Sequence, residues 1–316
     1  MNLKVMDGLI LVNKPQNITS HDVVAEIRNI LKIQKVGHYG TLDPLATGLV
    51  VVAVGKATRL FPFYSKKDKV YTGRIRLGFS TDTYDSAGKP TSKESPDFPP
   101  RETLLNTMKK FEGKIQQVVP PYSAKKYKGK PLYALARGNK EFELKPCQVT
   151  ILSFELNKYT PPYLEFKVGC SSGTYIRSLA HDLGQALSCG AHLSGLFRTE
   201  VGDFRIEQSF SLEKINILAK EGKTEDFLIP IELLLPEFPK VILEDRGAVL
   251  ARNGNMVPDA NIKKIIHHKS LVNHYQKEEE LVFRMFSLEG KFLALAKRDP
   301  EKNYFHPFLV IDTADG

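Results

Sequence analysis

The sequence predicts a globular protein of two domains that combines β-strands with α-helices. The chain has 316 residues, and 42% of them are apolar, which is enough to bury a substantial core. Some segments alternate apolar and polar residues as strands do, and others repeat apolar residues at helical spacing. The prolines Pro230, Pro236 and Pro239 indicate a linker between a larger first domain and a smaller second one.

The first elements are a strand, a helix and a second strand. The run GLILVNKP predicts a short buried strand that Pro15 stops. The run TSHDVVAEIRNILKI predicts a helix with Thr19 or Ser20 as its N-cap and Asp22 in its first turn. Its apolar residues fall on one helical face: Val23, Ile27, Ile30 and Leu31. A Gly-rich loop then leads into the apolar strand LVVVAVG.

The middle of the first domain adds further strands, a loop and a helix. In YTGRIRLG, Tyr71, Ile75 and Leu77 share one face and Arg74 and Arg76 the other, which predicts a strand with a basic outer face. The segment STDTYDSAGKPTSKESPDFPP has the composition of a surface loop, and ETLLNTMKKFEG predicts an amphipathic helix. Two strands are predicted in CQVTILSFEL and YLEFKVGC.

A further helix is predicted to begin near Thr174, because apolar residues follow it at helical spacing. Arg177 lies in the first turn of this helix, where a positive charge opposes the helix dipole. Arg177 therefore either points into solvent or has a carboxylate partner elsewhere in the fold.

The end of the chain predicts a small, mostly β domain of about 75 to 80 residues. LEDRGAVLARNGNMV predicts a short helix closed by Gly254, and ELVFRMFSLEGKFLALAKR a hairpin that turns at Glu289 and Gly290. The segment between them carries three histidines without acidic or thiol partners at ligand spacing, so we predict no metal site. These histidines are His267, His268 and His274.

The chain is basic, since 45 Lys and Arg against 36 Asp and Glu give a formal charge of +9. This balance favours a nucleic acid or a membrane surface as partner, although a basic protein without such a partner has the same composition. The segment VVPPYSAKKYKGKPLYALARGNKEF interleaves tyrosines, which can stack on unpaired bases, with cations that neutralise phosphates. We interpret it as an RNA-gripping insertion, the alternative being a solvated loop. Its basic residues include Lys125, Lys126, Lys128, Lys130 and Arg137.

Cysteine usage and hydropathy bear on where the protein works. Cys147, Cys170 and Cys189 are scattered, form no zinc-binding pattern, and are expected to be reduced thiols. No segment has the roughly 18 consecutive apolar residues of a membrane helix, and the first residues lack the features of a signal peptide. We therefore expect a cytoplasmic protein with no membrane partner.

The segment GHYGTLDPLATG places three glycines around Asp43, directly before a strand. A lone Asp-Pro pair is most often a structural turn. A catalytic carboxylate, by contrast, has to be held on a rigid loop that substrate can approach closely, which accounts for Gly40, Ala46 and Gly48. Asp43 is therefore a candidate nucleophile or base.

Four motifs stand in order between Gly8 and Phe210: GHYGTLDPLATGLVVVAVGKATRL, KVYTGRIRLGFSTDTYDSAG, VPPYSAKKYKGKPLYALAR and GTYIRSLAHDLGQALSCGAHLSGLFRTEVGDF. Together, in this order and at these spacings, they resemble the bacterial TruB-type tRNA pseudouridine-55 synthases. The resemblance implies an enzyme that converts one uridine in the TΨC loop of tRNA to pseudouridine by base flipping. In this reaction the base is detached, rotated and rejoined through its C5 to the ribose C1′.

The resemblance also implies roles for single residues. Asp43 matches the catalytic aspartate, which acts without metal or organic cofactor by attacking the ribose, adding to the base or abstracting a sugar proton. Arg177 matches the arginine that pairs with this aspartate and orients it. Tyr71 matches the tyrosine that stacks under the target base and is a candidate for moving the C5 proton.

Four further residues match residues that the family has in or near its active site. Tyr175 and Leu196 match residues that line the uracil pocket. His38 matches the histidine that occupies the stack left by the flipped nucleotide, since enzymes of this kind have to extrude the base. Lys14 matches a lysine near the active-site loop, and we assign it a structural role.

The fold that the resemblance implies is α+β, with a mixed, largely antiparallel sheet, flanking helices and a central catalytic cleft. Residues 1–236 would form the catalytic domain, with the basic insertion at 118–146, and residues 237–316 a small PUA-like RNA-binding domain. The closest match to a PUA domain is DRGAVLARNGNMV, and the rest of that segment is only loosely similar.

Two other functions fit the same residues. A non-enzymatic RNA-binding or tRNA-folding protein would use the basic cleft but would not need Asp43, Tyr71 and Arg177 together. A subunit of a guide-RNA-dependent synthase would keep a similar catalytic core but need partner proteins, and the long basic insertion argues against it. We expect a monomer that acts on tRNA without an obligatory protein partner.

Overall fold

The computed structural model describes residues 6–120, 126–127, 130–131, 146–267 and 281–312. Its strands are β1 (Gly8–Lys14), β2 (Val36–His38), β3 (Thr47–Val54), β4 (Lys69–Leu77), β5 (Gly113–Gln117), β6 (Lys126–Tyr127), β7 (Lys130–Pro131), β8 (Cys147–Thr160), β9 (Tyr163–Cys170), β10 (Ala191–Val201), β11 (Phe204–Arg205), β12 (Leu228–Pro230), β13 (Lys240–Leu243), β14 (Val257–Pro258), β15 (Ile262–Ile266), β16 (Val282–Phe286), β17 (Phe292–Asp299) and β18 (Tyr304–Val310). Its helices are α1 (Ser20–Leu31), α2 (Phe61–Tyr64), α3 (Arg101–Lys109), α4 (Ile176–Ala186), α5 (Leu212–Lys220) and α6 (Asp245–Arg252). Within these ranges, no helix has the length and apolar character needed to cross a membrane.

Two sheets organise these elements. The first has ten strands in the order β12-β1-β3-β10-β4-β9-β8-β5, with β2 paired to β3 and β11 paired to β10. Its pairs are antiparallel except for β3 with β10. The second has six strands in the order β14-β18-β17-β16-β13-β15. The predicted α+β class, with a mixed and largely antiparallel sheet, is confirmed.

The first sheet is covered on both faces at β1 and β3, which explains why these strands are apolar throughout. On one face, Val50 and Val52 belong to the cluster that contains the buried side chains of α1. On the other face, Leu49 and Val51 belong to a cluster that includes Phe292 of β17. The second sheet therefore shares a core with the first.

Helix α1 begins where its sequence predicts. Thr19 is the N-cap, and its hydroxyl accepts a hydrogen bond from the backbone N–H of Asp22, whose carboxylate in turn accepts one from the backbone N–H of Thr19. A cap of this kind stabilises a helix by about 1 kcal/mol. It also fixes Ser20, whose Oγ accepts a hydrogen bond from the backbone N–H of Leu42 at 2.8 Å, next to Asp43 in the chain.

The helix that carries Arg177 begins later than predicted. Helix α4 starts at Ile176, and Tyr175 before it is extended. The side-chain amide of Gln117 accepts a hydrogen bond from the N–H of Tyr175 at 2.7 Å and donates one to the carbonyl at 3.0 Å. The same carbonyl accepts the first hydrogen bond of the helix, from the N–H of Leu179 at 3.1 Å. Gln117 therefore satisfies the N–H of the residue before the helix, which no group within the helix can reach.

The prediction of a surface loop after β4 is wrong in part. Thr81 and Asp85 are buried, although most of the loop between β4 and α3 is accessible. Burial is tolerated because their polar groups are satisfied within the fold: the Thr81 hydroxyl donates to the backbone oxygen of Asp85 at 2.7 Å, and Asp85 pairs with Leu193 of β10 in a β-bridge. The loop therefore buries two polar residues, one of which pairs with a strand in the middle of the first sheet.

The C-terminal elements agree with the sequence. Helix α6 is followed by Gly254 at a φ of +71°, the left-handed conformation that a glycine after a helix adopts readily. Strands β16 and β17 form the predicted antiparallel hairpin, with Gly290 at a φ of +83° in its turn.

The predicted basic insertion contains a two-stranded ribbon formed by β6 and β7. Lys125, Lys128 and Arg137 lie outside the described residues, and so do the side chains of Lys126 and Lys130. The RNA-gripping role of this segment stays a prediction.

Candidate active site

The loop that carries Asp43 joins β2 to β3 and closes on itself. The carbonyl of Asp43 accepts a hydrogen bond from the backbone N–H of Ala46 at 3.0 Å. Gly48, where β3 starts to pair with β10, has a φ of +102°, and a Cβ at this position would collide with the backbone of Arg198. Glycine is therefore required there for both the left-handed conformation and the close approach of the two strands.

Asp43 and Arg177 form an ion pair. Nε of Arg177 lies 2.8 Å from Oδ2 of Asp43, and Nη2 donates a hydrogen bond to Oδ1 at 3.3 Å. The Arg177 side chain is 6% exposed and that of Asp43 is 40% exposed, so the carboxylate is the accessible partner. This is the carboxylate partner that a cation in the first turn of α4 needs. Two contacts from one planar guanidinium fix the orientation of the carboxylate.

The other side of the Arg177 guanidinium contacts the loop after β4. Nη1 donates a hydrogen bond to the backbone oxygen of Thr83 at 3.1 Å and lies 3.6 Å from Oδ2 of Asp85. Oδ1 of Asp85 accepts hydrogen bonds from the Thr83 hydroxyl at 2.6 Å and from the N–H of Ala87 at 3.0 Å. The guanidinium is therefore held between two carboxylates. Sequence analysis missed the second, because the composition of its segment indicates only a loop.

A cavity of about 230 Å³ opens beside this pair. Its lining includes Tyr71, Tyr175 and Leu196 together with Asp43 and Arg177. Burial raises the pKa of the Tyr71 phenol, so the phenol is neutral at physiological pH, and the charge of the nearby Arg198 guanidinium opposes this shift. The structure thus brings five of the residues singled out in the sequence to one cavity.

Two buried cations that sequence analysis did not single out also line the cavity, Lys69 on β4 and Arg198 on β10. Arg198 donates hydrogen bonds from Nε to the backbone oxygen of Leu49 at 2.7 Å and from Nη2 to that of Gly40 at 3.0 Å. Nζ of Lys69 donates to the backbone oxygen of Ser65 at 2.9 Å. Arg198 thereby ties the Asp43 loop to β3 and β10.

Family models match two thirds of the chain in two adjacent segments. Residues 28–176 match the TruB family pseudouridylate synthase N-terminal domain, and residues 177–236 match the tRNA pseudouridylate synthase B C-terminal domain. The tRNA pseudouridine synthase B of Solibacter usitatus is 44% identical over 253 residues, which cover 80% of this chain and 86% of the relative. That of Clostridium tetani is 40% identical over 285 residues, 90% of this chain and 97% of the relative.

The chain belongs to the TruB family. Like these relatives it is a tRNA pseudouridine synthase, an isomerase that acts on uridine in tRNA. A chain in the crystal structure of a Cbf5-Nop10-Gar1 complex has the same fold, with a TM-score of 0.73 and 26% identity over 98% of this chain and 87% of that one. A chain in the structure of an H/ACA RNP bound to a substrate RNA containing 2′-deoxyuridine has a TM-score of 0.71 and is 25% identical, over 98% of this chain and 86% of that one. The family, enzyme class and fold implied by the four motifs are confirmed.

His38, at the end of β2, lies beside the Asp43 loop of this TruB-family enzyme and is not part of the cavity lining. Its ring packs edge-on against His21, with centroids 5.3 Å apart. Burial above all, and the charges of His21 and Arg198, lower the pKa of His38 to about 4. The ring is therefore neutral near pH 7, and its Nδ1 accepts a hydrogen bond from the N–H of Gly40 at 3.3 Å.

Lys14 is the last residue of β1 and is fully buried. Its Nζ donates hydrogen bonds to the backbone oxygens of Pro15 at 2.9 Å and Ile18 at 2.8 Å. Burial lowers the pKa of Lys14 to about 8, while the negative charge of Asp43 opposes the shift. These contacts shape the chain before α1, in keeping with a structural role.

Within the described part of the chain, no cluster of three or more His, Cys, Asp or Glu side chains could hold a metal ion. His267 follows β15 and is exposed, whereas His268 and His274 lie outside the described residues. The cysteines are free thiols, and burial raises the pKa of Cys170 to about 11, which keeps this thiol protonated and unreactive.

Proposed function

We propose that this TruB-family enzyme isomerises the uridine at position 55, in the TΨC loop of tRNA, and that Asp43 is its catalytic group. The observation that carries the proposal is the Asp43–Arg177 pair at the edge of a cavity walled by Tyr71, Tyr175 and Leu196. The pair supplies a fixed carboxylate, and the walls supply flat and apolar surfaces for one extruded pyrimidine.

Arg177 acts by holding Asp43 in one orientation. Because the same guanidinium is anchored on Thr83 and Asp85, it stays in place when the nucleoside enters. Three routes are open to Asp43: attack on the ribose C1′, addition to the base, or removal of a sugar proton. Each needs the carboxylate beside the nucleoside and no metal or organic cofactor.

Tyr71 would contact the extruded base, and His38 would fill the position in the base stack that the flipped nucleotide leaves. The neutral phenol of Tyr71 stacks under the uracil and is the candidate for moving the C5 proton. His38 is uncharged, so its ring can stack where the flipped nucleotide stood without placing a charge between the neighbouring bases. Tyr175 and Leu196 complete the uracil pocket.

Binding of the tRNA would involve the whole chain. In this proposal residues 1–236 form the catalytic domain, the basic insertion at 118–146 contacts phosphates, and the PUA-like segment 237–316 adds a second RNA contact. The enzyme acts as a monomer in the cytoplasm, without an obligatory protein partner.

The alternative of a guide-RNA-dependent subunit rests on the likeness to the chain solved with Nop10 and Gar1, which is 26% identical. The relatives named tRNA pseudouridine synthase B reach 44% identity, which supports action on tRNA alone. The two functions differ in what the isolated chain can do.

The experiment is to incubate the purified chain with an unmodified tRNA transcript, with and without EDTA, and to map pseudouridine at single-nucleotide resolution. We expect modification at position 55 only, with no partner protein, guide RNA or cofactor. Modification elsewhere, or only after a partner is added, would refute the proposal. If EDTA abolishes activity and one particular divalent ion restores it, the cofactor-free mechanism is refuted. A general rescue of activity by Mg²⁺ would instead reflect the folding of the tRNA.

A further inference from the structure

The lining of the active-site cavity carries an excess of positive charge. Lys69, Arg177 and Arg198 are its three cations, and Asp43 is its one carboxylate. Asp43 is already paired with Arg177, which has Asp85 on its far side. Lys69 and Arg198 therefore remain as two cations that the acidic residues of the site do not neutralise.

These two cations are deeply buried and lie close together. Lys69 is 6% exposed and Arg198 is 1% exposed. A Cβ on Gly40 would lie 3.5 Å from Nη1 of Arg198 and 3.8 Å from Cε of Lys69, so both side chains meet at the Asp43 loop. Among the described residues, neither is within ion-pair distance of an Asp or Glu, and both are satisfied by backbone oxygens instead.

Burying such cations is unfavourable, and the ionisation of Lys69 shows it. Loss of solvation, together with the charge of Arg198, lowers the pKa of Lys69 to about 8, although Cys170 and Asp68 oppose the shift. An uncompensated buried charge costs stability unless a ligand of opposite charge joins it. Strongly perturbed groups that line a cleft are for this reason candidates for function.

We propose that Lys69, supported by Arg198, stabilises the negative charge that develops on the uracil when it is detached from the ribose. The proposal rests on the proposed isomerisation and adds a residue to it. On the two routes in which Asp43 acts on the sugar, Lys69 acts on the base. The two roles require charges of both signs in one cavity, and the lining supplies them.

The negative charge on the base follows from where the electrons of the broken C1′–N1 bond go. When the C1′–N1 bond breaks, its electron pair stays with N1, and the base becomes an anion delocalised over N1, O2, C5 and O4. The electron-deficient C1′ is compensated by Asp43, through a bond to the carboxylate or through loss of a sugar proton to it. After rotation, C5 supplies the electron pair of the new bond to C1′ while the carboxylate leaves C1′, or while the proton taken from the sugar returns to it. C5 then loses its proton and N1 gains one, so the product is an isomer of the substrate. A fixed cation in a site shielded from water stabilises the anionic stage and not the neutral substrate.

A phosphate of the tRNA backbone is the other anion that two cations could bind. Phosphates remain at the surface of a complex in which only the base is extruded, whereas Lys69 and Arg198 are almost inaccessible. The depth of the pair therefore favours the base over a phosphate.

The test compares Lys69→Met with the matched control Lys66→Met, which removes the same charge from an exposed position three residues away. Single-turnover rates at saturating enzyme and tRNA affinities are measured on transcripts with uridine or 5-fluorouridine at the target position. We expect Lys69→Met to lower the rate of glycosidic bond cleavage by about 10²-fold with affinity within a few-fold of wild type. The loss should be smaller with 5-fluorouridine, because fluorine stabilises the anion of the base. Lys69→Arg, which keeps the charge, should recover most of the rate, and Lys66→Met should match wild type.

A rate for Lys69→Met within twofold of wild type would overturn the proposal. So would a defect that appears as weaker binding with a flatter salt dependence, since that pattern marks a phosphate contact. If wild type itself forms no pseudouridine, the proposed function has failed and not the role of Lys69.

If Lys69→Met does not fold, the dependence of the reaction rate on pH tests the proposal instead. The rate of wild type should fall as pH rises through about 8, where Lys69 loses its proton. Lys14 has a similar pKa and also lies near Asp43, so wild type is compared with Lys69→Arg, which keeps Lys14. The arginine variant should hold its rate to higher pH, and identical profiles would overturn the proposal.

Discussion

A single guanidinium organises the residues around Asp43. Arg177 uses Nε and Nη2 for Asp43 and Nη1 for the backbone of Thr83 and the carboxylate of Asp85. Asp85 is itself held by two further hydrogen bonds, so the orientation of Asp43 is set by a buried network that extends beyond the cavity. A change at Asp85 should therefore affect chemistry without touching the substrate.

We predict that Asp85→Asn lowers the single-turnover rate by about tenfold or more and changes tRNA affinity only a few-fold, because a neutral amide no longer holds Nη1. The variant Asp97→Asn, at an exposed position of the same loop, is the control and should match wild type. Equal rates in the two variants would show that Arg177 does not need its second carboxylate.

The site residues that could be predicted from the sequence are those with a recognisable role in a motif. Asp43, Tyr71 and Arg177 were found because they stand in motifs, whereas Lys69 and Arg198 stand in the same segments without a chemical pattern of their own. Alternation along β10 could not place Arg198, because bulges between Leu193 and Gly195 and between Arg198 and Glu200 shift which face each residue takes. Only the folded structure shows that both side chains line the cavity.

At the scale of elements, the position of Asp43 depends on the junction of β3 and β10. These strands form the parallel pair of the first sheet, and Gly48 lies at the contact with Arg198. The predicted strands were found where apolar periodicity was strong, but this pairing links residues about 150 positions apart in a way that local pattern does not encode. Gly48 is the one feature of the local sequence that indicates this pairing.

We predict that Gly48→Ala destabilises the fold by about 2 kcal/mol or more and sharply lowers activity, because the Cβ adds a collision with Arg198 to the strain of a positive φ. Gly113→Ala is the matched control: its φ is +91°, but no atom lies within 4 Å of the new Cβ. It should lose only about 1–2 kcal/mol and keep its activity in the folded protein. Urea denaturation measures the loss of stability, and turnover measures the loss of activity. Equal losses in the two variants would show that the close approach of β3 and β10 at Gly48 does not matter.

For the whole molecule, the two sheets share a core. The sequence predicted a small C-terminal β domain, but not that its aromatic side chains would cover Leu49 and Val51 of the first sheet. An apolar strand shows that both its faces are buried, and it does not show which element buries each face. The C-terminal segment is thus part of the support behind the Asp43 loop, in addition to its proposed RNA contact.

We predict that Phe292→Ala lowers the free energy of unfolding by about 3–5 kcal/mol and speeds amide hydrogen exchange in β3 as well as in β17, because Phe292 belongs to the shared cluster. Phe308→Ala, at an exposed position of β18, should have little effect on either strand. Faster exchange confined to β17 in the Phe292 variant would show that the two sheets are energetically independent.

In the proposed mechanism the carboxylate of Asp43 performs the chemistry. Asp43→Asn tests this role, because the shape of the side chain is nearly kept while its charge is lost. The measurement is pseudouridine formation at position 55 of a tRNA transcript under single-turnover conditions, together with the Kd for the same transcript. We expect no product above background, with a Kd within a few-fold of wild type. Retention of more than about 1% of the wild-type rate would contradict it.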